Sequence, residues 1–299
     1  MSEALRNALT VDLEEYFQVS NFENVIDRKT WNDLPRRAAH STHRLLDAFD
    51  EAKQRATFFT LGWVAKRHPE LVREVADRGH EVACHGYGHA LVYDLGPDGF
   101  RQDIQRAKGI LEDVIGTQVT GYRAPSYSIT ERSLWALDIL HETGFRYDSS
   151  IFPIRHHRYG IPGFPKAPVR LELANGGRLD EFPLTTIEIG GLTLPLAGGA
   201  YLRFFPQSLF HWGFKRLRDA GRPFVLYTHP WEIDPGQPRQ DVGWRIRVNH
   251  YHNLGRTEDR IRSLLGAFRF DCMSNVLADL EARGALPGHR IGSEERAAA

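Results

Sequence analysis

The chain has 299 residues, 41% of them hydrophobic and 25% charged, which suits one large α/β domain or two small ones with a sizeable core. Lys plus Arg and Asp plus Glu both number 38, so the formal net charge is zero and no basic excess points to nucleic acid or an anionic membrane. Two cysteines are too few for a disulfide framework, no run of about 18 apolar residues marks a transmembrane helix, and the N-terminus lacks the apolar stretch of a secretory signal. A cytoplasmic enzyme is the expectation.

Residues 8–11 (Ala-Leu-Thr-Val) read as a first strand, ended by Asp12-Leu13-Glu14. Residues 16–35 are polar and aromatic without periodicity, a long loop of the kind that more often serves function than fills space. Residues 37–54 are amphipathic, with Leu45, Leu46 and Phe49 on one side, and residues 56–61 form a second strand rich in β-formers. A helix opening at Pro69 carries Leu71, Val72 and Val75 and stops at Gly79. Residues 81–85 are a third strand, 100–115 a helix closed by Gly116, and 118–122 a fourth strand ended by Arg123-Ala124-Pro125. Thr130 caps a further helix that ends at Gly144, and residues 145–148 are a short strand. Prolines, glycines and alternating segments predict hairpins between 152 and 200. A helix (206–220), a buried strand (224–228) ending at His229, and two more helices (256–268, 274–283) follow. The tail after Pro287 is expected to be disordered.

Strands alternate with helices at least four times, which argues for parallel βα units. Asp12, His85, Arg123 and His229 then all fall at or just past strand ends, the active-site rim of a parallel barrel. Residues two apart on a strand share a face, so Asp12 and Glu14 project together. His85 and His89 flank Gly86 and Gly88, which let the chain turn so that both rings face one point. Two imidazoles and a carboxylate suit a divalent ion, Zn²⁺ first, with Co²⁺, Ni²⁺ or Fe²⁺ as alternatives. Glu14 is the expected third ligand, with Glu15 as the competing choice. Asp12 is the expected general base, able to take a proton from a metal-bound water. Arg123 can fix a carboxylate in its fork, and Asp180-Glu181 is a candidate source of the partner acid. His229 is placed to protonate a leaving amine. Cys84 alternates away from His85 and reads as a small buried hydrophobe.

These motifs, in this order, resemble the polysaccharide deacetylases, metal-dependent esterases of N-acetylated glycans such as chitin and peptidoglycan. The resemblance spans roughly residues 5–230 and rests on Asp12-Leu13-Glu14, His85 to His89, Arg123-Ala124-Pro125, Asp180-Glu181 and Tyr227-Thr228-His229. The opening Val-Asp-x-Glu-Glu-Tyr-Phe, the His-Pro-Trp-Glu after the last strand and the segment 231–280 are similar to a subgroup tied to exosortase and exopolysaccharide gene clusters. The resemblance implies an α/β fold: a distorted (β/α) barrel with seven or so parallel strands, a hairpin insertion and a C-terminal helical extension over 231–285, beside which the end from 286 to 299 reads as disordered. It further implies an N-acetylated glycan as substrate, the Ser126 N–H as an oxyanion donor, and Tyr127, Glu181 and Trp231 as residues that meet the substrate. Association with an exopolysaccharide synthesis or export system follows from the same likeness. The chain departs from the usual pattern at Leu13, which separates the two acids, at Tyr227, where leucine is usual, and at Ser126, where an aromatic is usual. Two other readings stand beside it: a hydrolase of small amide rings resembling allantoinases, and an inactive glycan-binding component. A groove lined by aromatics such as Tyr16, Phe17, Trp231 and Trp244 would favour the glycan.

Overall fold

The computed structural model of the chain describes residues 6–156 and 158–291. The start of the chain and the end of the expected disordered tail, 292–299, lie outside the described residues. In chain order the elements are β1 (Asn7–Leu13), α1 (Ala38–Glu51), β2 (Thr57–Thr60), α2 (Gly62–Arg67), α3 (Pro69–Asp77), β3 (Glu81–Cys84), α4 (Val92–Ile115), β4 (Gly121–Tyr122), α5 (Trp135–Glu142) and β5 (Tyr147–Asp148). Two hairpins come next, β6 (Val169–Glu172) with β7 (Arg178–Glu181) and β8 (Thr186–Ile189) with β9 (Leu192–Pro195). Then follow α6 (Ala200–Phe204), α7 (Gln207–Asp219), β10 (Val225–Thr228), α8 (Trp244–Tyr251), α9 (Leu254–Ala267), β11 (Phe270–Asp271), α10 (Met273–Ala282) and β12 (Gly288–Arg290).

The main sheet runs β10-β1-β2-β3-β4-β5-β7-β6-β12, with β11 also paired to β1. From β10 to β7 every neighbouring pair is parallel, which gives seven parallel strands; β6 then turns back antiparallel on β7. Among the described residues no pairing joins β10 to the far end, so the hydrogen-bonded path is open. Residues after 230 enter the same sheet, since β11 pairs with β1 and β12 with β6. The tail expected to be disordered from 286 is therefore corrected at its start: Gly288–Arg290 is a strand and Ile291 is buried.

Hydrophobic patterning explains the layers. Every residue of β1 and β2 is buried, as in parallel strands covered on both faces. Helix α3 buries Leu71, Val72 and Val75, and α4 buries Phe100, Ile104, Ala107 and Leu111 at helical spacing. Each large apolar side chain so covered contributes about 1.5–3 kcal/mol, an upper figure because the unfolded chain is already partly compact. Helix α4 begins upstream of the expected start because a first turn from Val92 precedes a break at Gly96, whose φ is +65°, and Pro97, which lacks an N–H for the helix ladder. Helices α2 and α8 have weak periodicity and were not expected.

Parallel strands bring one kind of end together. The residues at or just beyond the C-terminal ends of β1, β3, β4 and β10 are Asp12, Glu14, His85, Arg123 and His229. Strand β1 lies between β10 and β2, with Val11 in register with Thr228 and Asp12 with Phe59. That is the crevice side where open parallel sheets bind their ligands.

Candidate metal and catalytic site

Glu14, His85 and His89 each present a ligand atom, and these atoms lie within 4.8 Å of one another in buried surroundings. The local backbone explains the meeting. Gly86 has φ +74°, and a Cβ there would sit 2.8 Å from the Asp103 carboxylate that accepts from the Tyr87 N–H. His89 has φ +53°, a strained setting for a side chain that persists where the surroundings hold it. Arg28, from the long loop after β1, does the holding, donating to the carbonyls of Gly88 and His89 at 2.5 and 3.0 Å.

Two of the three ligand side chains, His85 and Glu14, are aimed by a partner behind them. The His85 Nδ1–H donates to the Arg123 carbonyl at 2.7 Å, which leaves Nε2 with a free lone pair toward the cluster. Trp231 donates its indole N–H to Glu14 Oε1 at 3.0 Å. Glu14 Oε2 is buried and lies 3.0 Å from His89 Nε2 without hydrogen-bond geometry. A buried carboxylate oxygen with no donor, facing two imidazole nitrogens, fits a divalent cation of the kind that takes N and O ligands. Burial raises the Glu14 pKa, but the facing histidines, His89 first, outweigh it and hold it at about 2. Burial pushes His85 down to about 4, the neutral form a ligand needs. Glu15 points the other way. Its Oε2 accepts the Arg37 and Ala38 N–H groups at the start of α1, and burial pushes its pKa up to about 7.

Asp12 lies beside the cluster. Arg123, fully buried, donates to Asp12 Oδ1 at 2.7 Å, to Thr10 Oγ1 at 2.8 Å, and to the carbonyl and hydroxyl of Ser149 at 3.1 and 3.0 Å. His229 Nε2 stands 3.8 Å from both Asp12 Oδ2 and Glu14 Oε1. Its Nδ1 is 3.1 Å from Glu232 Oε2. Burial lowers the His229 pKa, but the Glu232 carboxylate, with Glu14 and Asp12 behind it, overrides that and raises it to about 9.

A cleft of about 640 Å³ opens over this cluster and is lined by Asp12, Glu14, His85, His89, Ser126, Tyr127, Tyr159, Tyr201, Phe204, Tyr227, His229 and Trp231, among others. Ser126 and Tyr127 both have positive φ, near +52° and +55°, and the Ser126 hydroxyl meets Ser20 Oγ at 2.7 Å. The Tyr127 and Tyr227 rings meet edge to face at 5.4 Å, and both line the cleft. Trp231 forms cleft wall, but its N–H is committed to Glu14; what it offers the cleft is ring surface.

Two expectations need correction. Glu181 does not meet the cleft: it is fully buried, accepts from the Ile151 N–H at 3.0 Å, and has a pKa well above the usual carboxylate range because burial and the neighbouring Asp148 both disfavour its charge. Nor does Asp180-Glu181 supply the partner of Arg123. Asp180 pairs with Arg170 at 2.8 Å, and Asp12 itself is the acid in the Arg123 fork. Of the aromatics named for a groove, Tyr16 and Phe17 are core, and Trp244 is 70% exposed on α8 outside the cleft lining. Glu232 and Trp231's role as a carboxylate donor were missed. An acid three residues after His229, across Pro230, was the available sign for Glu232.

Residues 29–147 match the polysaccharide deacetylase family and residues 149–278 match a domain of unknown function, DUF3473. Residues 29–147 thus carry a polysaccharide deacetylase domain, and the match to DUF3473 follows it in the chain. His85, His89, Arg123 and Ser126 lie in the first match, Asp12 and Glu14 precede it, and His229 and Trp231 fall in the second. A peptidoglycan-N-acetylglucosamine deacetylase of Bacillus cereus is 32% identical over 98 residues, 32% of this chain and 36% of that protein. A chitooligosaccharide deacetylase of Rhizobium leguminosarum bv. trifolii is 47% identical over 60 residues, 20% of this chain and 27% of that protein. The matches thus span about a third of the length of such curated relatives. A solved structure from Mycobacterium smegmatis, assigned to the polysaccharide deacetylases, shares the fold over 96% of this chain and 95% of its own, with a TM-score of 0.62 and 21% identity.

Proposed function

We propose that the protein is a metal-dependent hydrolase that removes acetyl groups from an N-acetylated glycan. The observation that carries this is the convergence of Glu14, His85 and His89 on one point, with Asp12 and His229 beside it at the mouth of the cleft. The named activities of the relatives and the tyrosine-rich cleft support a glycan over a small ring.

Glu14, His85 and His89 would hold the ion, which supplies Lewis acidity toward the acetamide carbonyl and a more acidic bound water. Asp12, held in the Arg123 fork, takes the proton of the attacking water. The Ser126 N–H faces the developing oxyanion as a backbone donor. His229, its Nδ1 fixed on Glu232, gives a proton from Nε2 to the departing amine. Acetate and a free amino sugar leave. Zinc as the resident ion, an exopolysaccharide intermediate as substrate, and a cytoplasmic site of action are the finer parts of the proposal. The first is supported by the N₂O ligand set and the second by the likeness of the opening motif and of residues 231–280, and the third goes with action on such an intermediate before export.

The test is acetate release from N-acetylated chitooligosaccharides and peptidoglycan fragments, before and after chelation and zinc reloading. Metal-dependent release abolished by Asp12→Asn is expected. Release that survives both metal removal and Asp12→Asn would end this reading.

A further inference from the structure

The segment that matches DUF3473, residues 149–278, contains His229 and the charged side chains behind it. Arg203, at the end of α6, is 1% exposed. Its Nε donates to Glu232 Oε1 at 2.7 Å. The other Glu232 oxygen accepts the His229 backbone N–H at 3.1 Å and lies 3.1 Å from His229 Nδ1. The Arg203 NH1 reaches the opposite way, to the carbonyls of Asn249, His250 and His252 at 2.8, 2.9 and 3.2 Å. Those are carbonyls at the C-terminal end of α8, left without intrahelical donors and rich in partial negative charge. One guanidinium therefore bolts three pieces together: α6, the turn after β10, and the end of α8.

This arrangement is costly unless it has a use. Two buried charges lose hydration, and replacing such pairs with apolar groups is often neutral or stabilising. What the pair does secure is direction. Glu232 can aim the His229 ring only while its own carboxylate is fixed, and Arg203 is the buried side chain that fixes its far oxygen. Burial works against the Glu232 charge, and Arg203 with His229 more than reverses this, holding its pKa at about 2. The planar fork matters, since an ammonium cannot meet a carboxylate and a set of carbonyls in one plane.

We propose that Arg203 is a positioning residue for His229, and that the DUF3473 segment serves to complete the deacetylase site by clamping Glu232 against the end of α8. The role rests on the reading of His229 as the proton donor. Arg203 also borders the cleft and lies 5.3 Å from the Trp231 ring, so the kcat and zinc readouts below separate its action through Glu232 from an action through substrate or Trp231.

The test uses the full chain and the variants Arg203→Met, Arg203→Lys and Glu232→Gln, with three readouts. The first is ¹⁵N NMR of the His229 imidazole in the folded, metal-free protein. The second is the split between kcat and KM for a chitooligosaccharide, and the third is zinc affinity. In the wild type the expected signal is an Nδ1–H hydrogen-bonded to Glu232 and slow to exchange. In Arg203→Met that protection is lost and kcat falls about 10–100-fold, while KM and zinc affinity stay within about twofold. Arg203→Lys recovers part of kcat, because it keeps the charge without the fork. Should Arg203→Met not fold, Arg203→Lys and Glu232→Gln carry the same test. Folded variants with wild-type kcat and an unchanged Nδ1–H signal would overturn the clamp. A wild-type protein that binds zinc but releases acetate from no glycan sinks the deacetylase reading instead, and the NMR comparison then still decides the clamp.

Discussion

Asp12 and Arg123 form the pair on which the proposed base depends, and removing one charge tests it in two ways at once. Both side chains are almost wholly buried, 2.7 Å apart. Asp12→Asn keeps the shape but leaves the Arg123 guanidinium without its counter-charge. Breaking a buried pair in this way typically costs about 3–5 kcal/mol. Arg123 keeps its bonds to Thr10 and Ser149, and the Asn oxygen can still accept, so the lower end, about 3 kcal/mol, is the expected loss. Urea unfolding at neutral pH reads that directly, as a lower midpoint with an unchanged slope. Acetate release per folded molecule should fall by at least about 100-fold, the usual size of a lost general base. The double variant Asp12→Asn with Arg123→Met should regain part of the stability and none of the activity. An Asn variant as stable as the wild type would show that Arg123 does not rely on Asp12, and one with full activity would remove Asp12 as the base.

Trp231→Phe deletes the donor to Glu14 Oε1, and zinc affinity measured against a competing chelator should weaken about 10–100-fold, with an unchanged constant counting against the indole as the orienting group. Gly86→Ala would place a Cβ 2.8 Å from Asp103 at a φ of +74°, so thermal unfolding should show a loss of about 1–3 kcal/mol; a neutral outcome would mean the turn relaxes freely. His80 is buried and neutral, its Nδ1 accepting the Ala56 N–H, and burial lowers its pKa from 6.5 to about 4. The unfolded chain binds that proton first, so the contribution is whole above pH 6.5 and is lost as pH falls toward 4. Urea unfolding should find about 2 kcal/mol less stability at pH 5 than at pH 7 from this group. The difference between the two pH values should shrink by about that amount in His80→Phe, and an unchanged difference there would exonerate His80.

The parallel βα order was legible because β1, β2, β3 and β10 are apolar runs bounded by turn residues, and because amphipathic α1, α3 and α9 alternate or pack with them. Strand ends then pointed to Asp12, His85, Arg123 and His229, since chemistry in parallel sheets gathers at one rim. Alternation along a strand separated Glu14 from Glu15, and the structure shows the physical result: one acid faces the histidines, the other receives the backbone at the start of α1. Other parts were not legible. Glu181 was expected at the site from the resemblance alone, yet it is fully buried at the end of β7, in register with Asp148 of β5. Arg203 gave no sign, because an arginine on a short helix reads as surface, and only the meeting of α6, the turn after β10 and α8 buries it. Helix α8 was missed because its apolar residues do not line one face, and Trp244 and Val248 stay exposed.

X-ray absorption spectroscopy of the zinc-loaded protein, run beside His85→Ala and Glu14→Gln, bears most directly on whether three side chains share an ion. One zinc per chain is expected, with two imidazole nitrogens and carboxylate oxygen at about 2.0–2.2 Å, and both substitutions should sharply reduce zinc bound at stoichiometric concentration. Zinc that binds as tightly, with the same spectrum, after His85→Ala and Glu14→Gln would contradict a metal centre at this site.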